Sequence, residues 1–118
     1  MIDIFEDKLN IDAGCGGDIP INTNTQFQGS VDYHLVNAGD EDGAVSILVT
    51  LSDSAGHNTQ FSSSFQVIPA KGDFTDSHFL VLNASYDTPG QINVTMQVQF
   101  SGALNDTKFA ECSFFVLS

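Results

Sequence analysis

Basic residues are nearly missing from this chain. Three Lys/Arg stand against fifteen Asp/Glu, a formal net charge of −12 at pH 7. A phosphate backbone or an anionic membrane surface repels such a chain, and no Lys/Arg cluster offsets the repulsion. Nucleic acid and anionic membrane surfaces therefore drop out as partners, which leaves a protein partner or self-association. Trp is absent, which weighs against a platform that stacks sugars on aromatic faces. The two cysteines form no C-x-x-C pair and have no neighbouring histidine, so a zinc ribbon and a dithiol redox centre are excluded. No apolar run approaches the roughly 18–20 residues of a membrane-spanning helix. No window holds helical periodicity for more than about one turn.

What is present is enough for one domain, residues 1–118, with 1–10 read as an extended N-terminal arm or an edge strand. Hydrophobic residues make up 42% and mean hydropathy is +0.02, so the chain can bury a core despite its charge. The opening "MIDIFEDKLN" is acidic and lacks the basic and apolar regions of a signal peptide. For an exported protein the signal would already be removed and Met1 would be an added start. Only 15% of residues are charged, and the other polar positions are largely Ser, Thr, Asn and Gln. That mixture resembles an extracellular or cell-surface domain.

Apolar and polar residues alternate in run after run. Phe27, Gly29, Val31, Tyr33 and Leu35 share one face; so do Val45, Ile47, Val49 and Leu51, and Phe61, Ser63, Phe65 and Val67. Ile92, Val94, Met96, Val98 and Phe100 form a further set, and Ala110, Cys112, Phe114 and Val116 the last. A period of two denotes strands with one buried and one wet face. The turn segments "NAGDEDG", "SDSAGHN", "PAKGD", "YDTPGQ" and "SGALND" separate these runs. "SHFLVLNAS" (Ser77–Ser85) is apolar on both faces in its middle and reads as a central strand. "KLNID" and "DIPINT" read as short N-terminal pieces, with Pro20 suited to an edge or bulge. The pattern predicts six strands from Phe27 onward plus one or two N-terminal edge pieces. The fold class is all-β, an antiparallel immunoglobulin-like β-sandwich of about seven strands.

"GSVDYHLVNAGDEDGAVSILVTLSDSAGHN" resembles the first hairpin of immunoglobulin-like accessory modules of the CARDB and FxLYD type, with its Asn-x-Gly turn and its later "D-x-x-G" turn. "VIPAKGDFTDSHFLVLNASYDTPGQINVTMQV" is similar to their later strands. The resemblance covers roughly Gly29 to Val98. It implies a spacer, adhesion or assembly module without catalysis of its own.

Several constellations bear on chemistry. "VNAGDEDGAV" places Asp40, Glu41 and Asp42 between two glycines. An EF-hand register with Gly43 at loop position 6 puts Ala38 at position 1 and Val49 at position 12, so that motif fails. Two readings stay open: a calcium site completed by a neighbouring loop, or a solvated hairpin tip whose charges discourage aggregation. No other cofactor is indicated. Cys112 lies on the apolar face of the last strand and Cys15 in a Gly-rich loop. They read as a disulfide tying the N-terminal edge to the final strand, with two free thiols as the alternative. His34 is expected to face solvent in mid-strand, His57 to lie in a turn and His78 to start a strand. No G-x-S-x-G elbow accompanies them. Asn83, Asn93 and Asn105 head N-x-S/T sequons and become glycosylation sites where the source glycosylates its surface proteins.

The functional expectation is a non-enzymatic extracellular or cell-surface module for adhesion, surface assembly or spacing. Two alternatives are a calcium-dependent binding domain using residues 40–42 and a fibre-like subunit that exchanges its N-terminal strand.

Overall fold

A computed structural model describes all residues, Met1–Ser118. Eight strands follow in order: β1 (Ile4–Asp12), β2 (Ile19–Pro20), β3 (Thr25–Asn37), β4 (Gly43–Asp53), β5 (Asn58–Ile68), β6 (Asp73–Ala84), β7 (Gly90–Gly102) and β8 (Asp106–Leu117). They form a three-stranded sheet, β1-β3-β6, packed on a five-stranded sheet, β2-β8-β7-β4-β5. All pairings are antiparallel except β2 with β8. The expected immunoglobulin-like sandwich is thus observed, with six strands from Thr25 onward and two before them.

The alternating residues explain the layering. On β4 and β7, Ile47 pairs with Phe100, Val49 with Val98 and Leu51 with Met96, and all six are buried. They face Phe27, Val31, Tyr33 and Leu35 of β3, the middle strand of the opposite sheet. Each such side chain contributes about 1.5–3 kcal/mol on leaving water. One inward position of β3 is Gly, and a side chain there would displace its neighbours across the core. A Cβ at Gly29 would lie 2.9 Å from Met96 Sδ and 3.1 Å from Leu51 Cδ1.

The structure corrects four sequence expectations. First, "NAGDEDG" is not a hairpin tip. β3 and β4 belong to different sheets, so residues 38–42 cross the sandwich, as do the β5–β6 and β6–β7 connections. Alternation reveals strands but not which neighbour a strand pairs with. Second, the strand containing Ser77–Ser85 is an edge strand, not a central one. Its outward Phe79 stays 67% exposed while Leu82 and Ala84 face the core. Third, the run Phe61, Ser63, Phe65, Val67 does not share a face. β4 advances two residues from Val45 to Ile47 while β5 retreats three, from Gln66 to Ser63. This bulge flips the phase, so Phe61 and Ser63 point inward, Phe65 and Val67 stand 65% and 55% exposed, and Ile68 is buried. Fourth, His78 lies within β6 rather than at its start. Its ring stacks on Phe61 (centroids 4.8 Å) and meets Tyr33 Oη at 3.0 Å.

The N-terminal segment has a place in the fold. β1 pairs with β3 from Ile4↔Asn37 to Asp12↔Ser30, with a register shift between Glu6 and Lys8. Ile4 is buried, and Leu9 and Ile11 pack against the core.

Candidate functional site

The two sheets present unlike outer faces. Outward positions of the three-stranded sheet include Asp12, Asp32 and Asp73 with Lys8 and His34, interleaved with Gln28, Ser30 and Phe79. Asp7 sits at the register shift of β1, so that His34 is held by two carboxylates, Nδ1 at 2.8 Å from Asp7 and Nε2 at 2.7 Å from Asp73. The Asp73 and Asp7 hydrogen bonds raise the His34 pKa above its ordinary value. This contact therefore stabilises the fold below the ordinary histidine range and is lost as pH rises through the raised value.

The outer face of the five-stranded sheet is different. Its strands present Ser46, Leu48, Thr50, Gln60, Ser62, Asn93, Thr95, Gln97 and Gln99, with Phe109, Phe115 and Leu117 from β8. Of fifteen carboxylates, Glu111 alone projects from its strands on this side, opposite Thr95. Phe109 is 61% exposed and Phe115 is half exposed. A molecule of charge −12 thus carries one broad face of amides, hydroxyls and phenyl rings.

The acidic crossing loop is organised by Asn37, which is completely buried. Its Nδ2 donates to Glu41 O (2.8 Å) and Ile68 O (3.1 Å), while its Oδ1 accepts from Gly39 N–H (3.0 Å) and Asp3 N–H (3.3 Å). Of the loop's three carboxylates, two converge and one turns away. Asp40 and Glu41 both meet the Met1 ammonium, whereas Asp42 accepts from Ala70 N–H at 2.9 Å.

Cys15 and Cys112 form a disulfide with Cα atoms 6.0 Å apart. Around it the chain leaves β1, turns at Gly14 (φ +78°) and lays β2 beside β8. Phe115 N–H donates to Asp18 Oδ1 (2.9 Å) and Ile21 N–H to Leu117 O (2.8 Å). A Cβ at Gly14 would fall 2.0 Å from Gln28 O, so only glycine fits this turn.

In the same row of the sheet, where Asp53 pairs with Val94 and Val94 with Cys112, a buried carboxylate gathers two connections. Asp53 Oδ1 accepts from Ala55 and His57 N–H, and its Oδ2 meets Tyr86 Oη at 2.5 Å and His57 Nδ1 at 2.8 Å. Burial pushes the Asp53 pKa up, but the bonds from Tyr86 and His57 outweigh it and the net shift is downward. His57 and Tyr86 line a shallow depression of about 330 Å³ with Ser85, Asp87 and Ile92. The arrangement clamps the β4–β5 turn to the β6–β7 crossing.

A lowered carboxylate pKa stabilises the fold above the ordinary Asp range, and the contribution is lost as pH falls through the folded value. Tyr86→Phe should therefore cost about 1.5–3 kcal/mol at pH 7. It should also move the onset of acid unfolding to higher pH, as followed by far-UV circular dichroism. The same acid limb in Tyr86→Phe and wild type would contradict this.

A carboxyl pair elsewhere contains a shift of the opposite sign, at Glu6. Glu6 and Asp106 meet where β1 approaches the start of β8. Burial and then Asp106 push the Glu6 pKa up, and hydrogen bonding with Glu6 lowers that of Asp106. Glu6 thus favours the fold below the ordinary carboxylate range and loses that contribution as pH rises through its raised value.

Asn83, Asn93 and Asn105 are all exposed. Asn105 braces the β7–β8 turn, its Nδ2 donating to Gly102 O at 2.9 Å. Sequence reasoning passed over Asn37, Asp53 and Tyr86. Each continues the inward phase of its strand, since Asn37 follows Leu35, Asp53 follows Leu51 and Tyr86 follows Ala84. A polar residue in an apolar phase at a strand end was the available signal.

No protein-family model matches the chain, and no curated protein does. Solved structures do. An alkylpurine DNA glycosylase from Pseudomonas fluorescens, bound to DNA containing an abasic site analog, is similar over 98% of this chain at 10% identity and a TM-score of 0.53. The chain spans 30% of that enzyme's length. A CARDB domain from Pyrococcus furiosus, in complex with di-metal ions, is similar over 98% of this chain and 89% of its own at 14% identity, TM-score 0.47. A β-glucosidase from Listeria innocua in complex with glucose is similar over 99% of this chain and 16% of its own, with 16% identity and a TM-score of 0.48. The likeness to the glycosylase is one of fold alone, and a CARDB domain stands among the structural neighbours.

Proposed function

We propose that this chain is a non-enzymatic, exported β-sandwich module for adhesion or surface assembly, contacting a protein partner through its five-stranded sheet. The observation that carries the reading is the contrast between the two outer faces. Interfaces favour exposed aromatic residues and avoid charge at their centre. Phe109, Phe115 and the surrounding amides and hydroxyls meet that description, in a molecule whose carboxylates, Glu111 apart, lie elsewhere. Charge on the rest of the surface keeps the module soluble and repels unwanted contacts.

The exported setting is supported by the Cys15–Cys112 disulfide, since such bonds persist in oxidising compartments. The test uses the protein in its own cells. Thiols are trapped by acid quenching and alkylation, and intact cells are treated with protease. Unalkylated Cys15 and Cys112, in a chain that external protease removes, are the expected results. Two alkylated cysteines in a protease-protected chain would overturn the reading.

A further inference from the structure

Each sheet has two edges, and an unpaired edge displays N–H and C=O groups that can template another strand. Three of the four edges are guarded. β1 carries Glu6, Asp7, Lys8 and Asp12 with a register shift; β6 carries Asp73, Asp76 and His78; β2, with Pro20, covers only Val116 and Leu117, and the rest of that edge, on β8, carries Asp106, Lys108 and Glu111. β5 is unlike them. Its eleven residues, "NTQFSSSFQVI", contain no charge and no proline, and its bulge lies beyond Ser63, leaving Thr59–Ser63 regular.

We propose that Thr59–Ser63 of β5 pairs antiparallel with the same segment of a second copy, about a two-fold axis at Phe61, to make one continuous sheet across the dimer. The inference rests on the proposed role of the five-stranded sheet in contacts and adds its β5 edge, where the partner is a second copy of the chain. Three observations carry it.

The first is self-complementarity, which a two-fold interface requires. Thr59, Phe61 and Ser63 pair with Leu51, Val49 and Ile47 and face inward, while Gln60 and Ser62 face outward. A dyad at Phe61 sets Phe61 against itself, Thr59 against Ser63 of the second copy, and Gln60 against Ser62. Inward residues meet inward ones throughout. The second is an unmet hydrogen bond. Ser63 Oγ is buried and has no partner within the chain. The dyad brings Thr59 of the second copy opposite Ser63, and a turn of the Ser63 side chain toward the edge lets the two hydroxyls meet, the kind of cross-strand pair that stabilises sheets. The same pairing covers Phe61, which is 40% exposed in one copy. The third is charge. Two bodies of −12 repel, and β5 is the long edge where they can meet without opposing carboxylates. That repulsion is screened by salt, so the dimer strengthens as ionic strength rises.

Sedimentation equilibrium of the full chain from micromolar to millimolar concentration, at low and high salt, tests this. The wild type should move from monomer to dimer mass, at lower concentration in high salt. Gln60→Lys with Ser62→Lys opposes lysines across the dyad and should raise Kd at least tenfold. Gln28→Lys with Ser30→Lys makes the same charge change on β3, in the other sheet and away from the proposed contacts, and should leave self-association no weaker. Circular dichroism melts confirm that both variants fold. A wild type that stays monomeric, an edge variant that associates like wild type, or a β3 variant weakened equally would each overturn the proposal. A monomeric wild type that is nonetheless oxidised and cell-exposed would sink the edge pairing alone and leave the exported-module reading standing.

Discussion

Reducing the Cys15–Cys112 disulfide, or replacing both cysteines with serine, is expected to lower stability by about 4–5 kcal/mol. The bridge joins positions 97 residues apart, and closing so long a loop removes that much chain entropy from the unfolded state. For a domain of this size the loss corresponds to a fall in Tm of about 15–20 °C, a large share of the 5–15 kcal/mol typical of natural domains. The native-state context agrees. Cys112 lies inward on β8 opposite Val94, while Cys15 follows the Gly14 turn pressed against Gln28 of β3. The bridge therefore fastens the segment that passes from the three-stranded sheet to the five-stranded one. Differential scanning calorimetry with and without reductant measures the effect. Coincident transitions would show that the bridge carries no stability.

Asn37→Ala is expected to cost about 3–4 kcal/mol. The side chain makes four hydrogen bonds in a fully buried position. Its loss strands the Ile68 carbonyl and the Gly39 N–H where little water reaches, at about 1–3 kcal/mol for each unsatisfied group. Asn37→Asp should be worse at neutral pH, because a carboxylate would face the Glu41 and Ile68 carbonyls. Part of that extra loss should return under acid, where a protonated carboxyl donates to one of them. Urea unfolding gives both values, read as a lower midpoint at unchanged slope. An Asn37→Ala midpoint equal to wild type would remove Asn37 as the organiser of the crossing loop.

Much of the fold was legible in the sequence because it follows from local pattern. Period-two alternation located β3, β4, β7 and β8, and Pro20 marked an edge. The disulfide followed from the inward phase of Cys112 and from a Gly-rich loop near the first strand. What the pattern could not convey is pairing between distant strands. Residues 38–42 look the same whether they close a hairpin or cross between sheets, since both need a polar, Gly-containing turn. The β5 bulge escaped for a related reason. "QFSSSFQV" alternates in sequence without interruption, and the phase flip exists only relative to β4. The β6 assignment failed because Phe79 and Val81 suggested burial on both faces, whereas one face of an edge strand tolerates exposed apolar residues. The contrast between the outer faces depends on pairing as well, so it too emerged only with the register.

Contacts through the neutral five-stranded sheet and its β5 edge, as proposed above, leave a footprint on amide exchange. Hydrogen–deuterium exchange of the wild-type chain, compared between dilute and concentrated solution in high salt, reads it residue by residue. Exchange should slow on concentration at Thr59–Ser63, with the amides of β1 and β6 unchanged. Protection at β1 or β6 instead, or none at β5, would contradict the proposal.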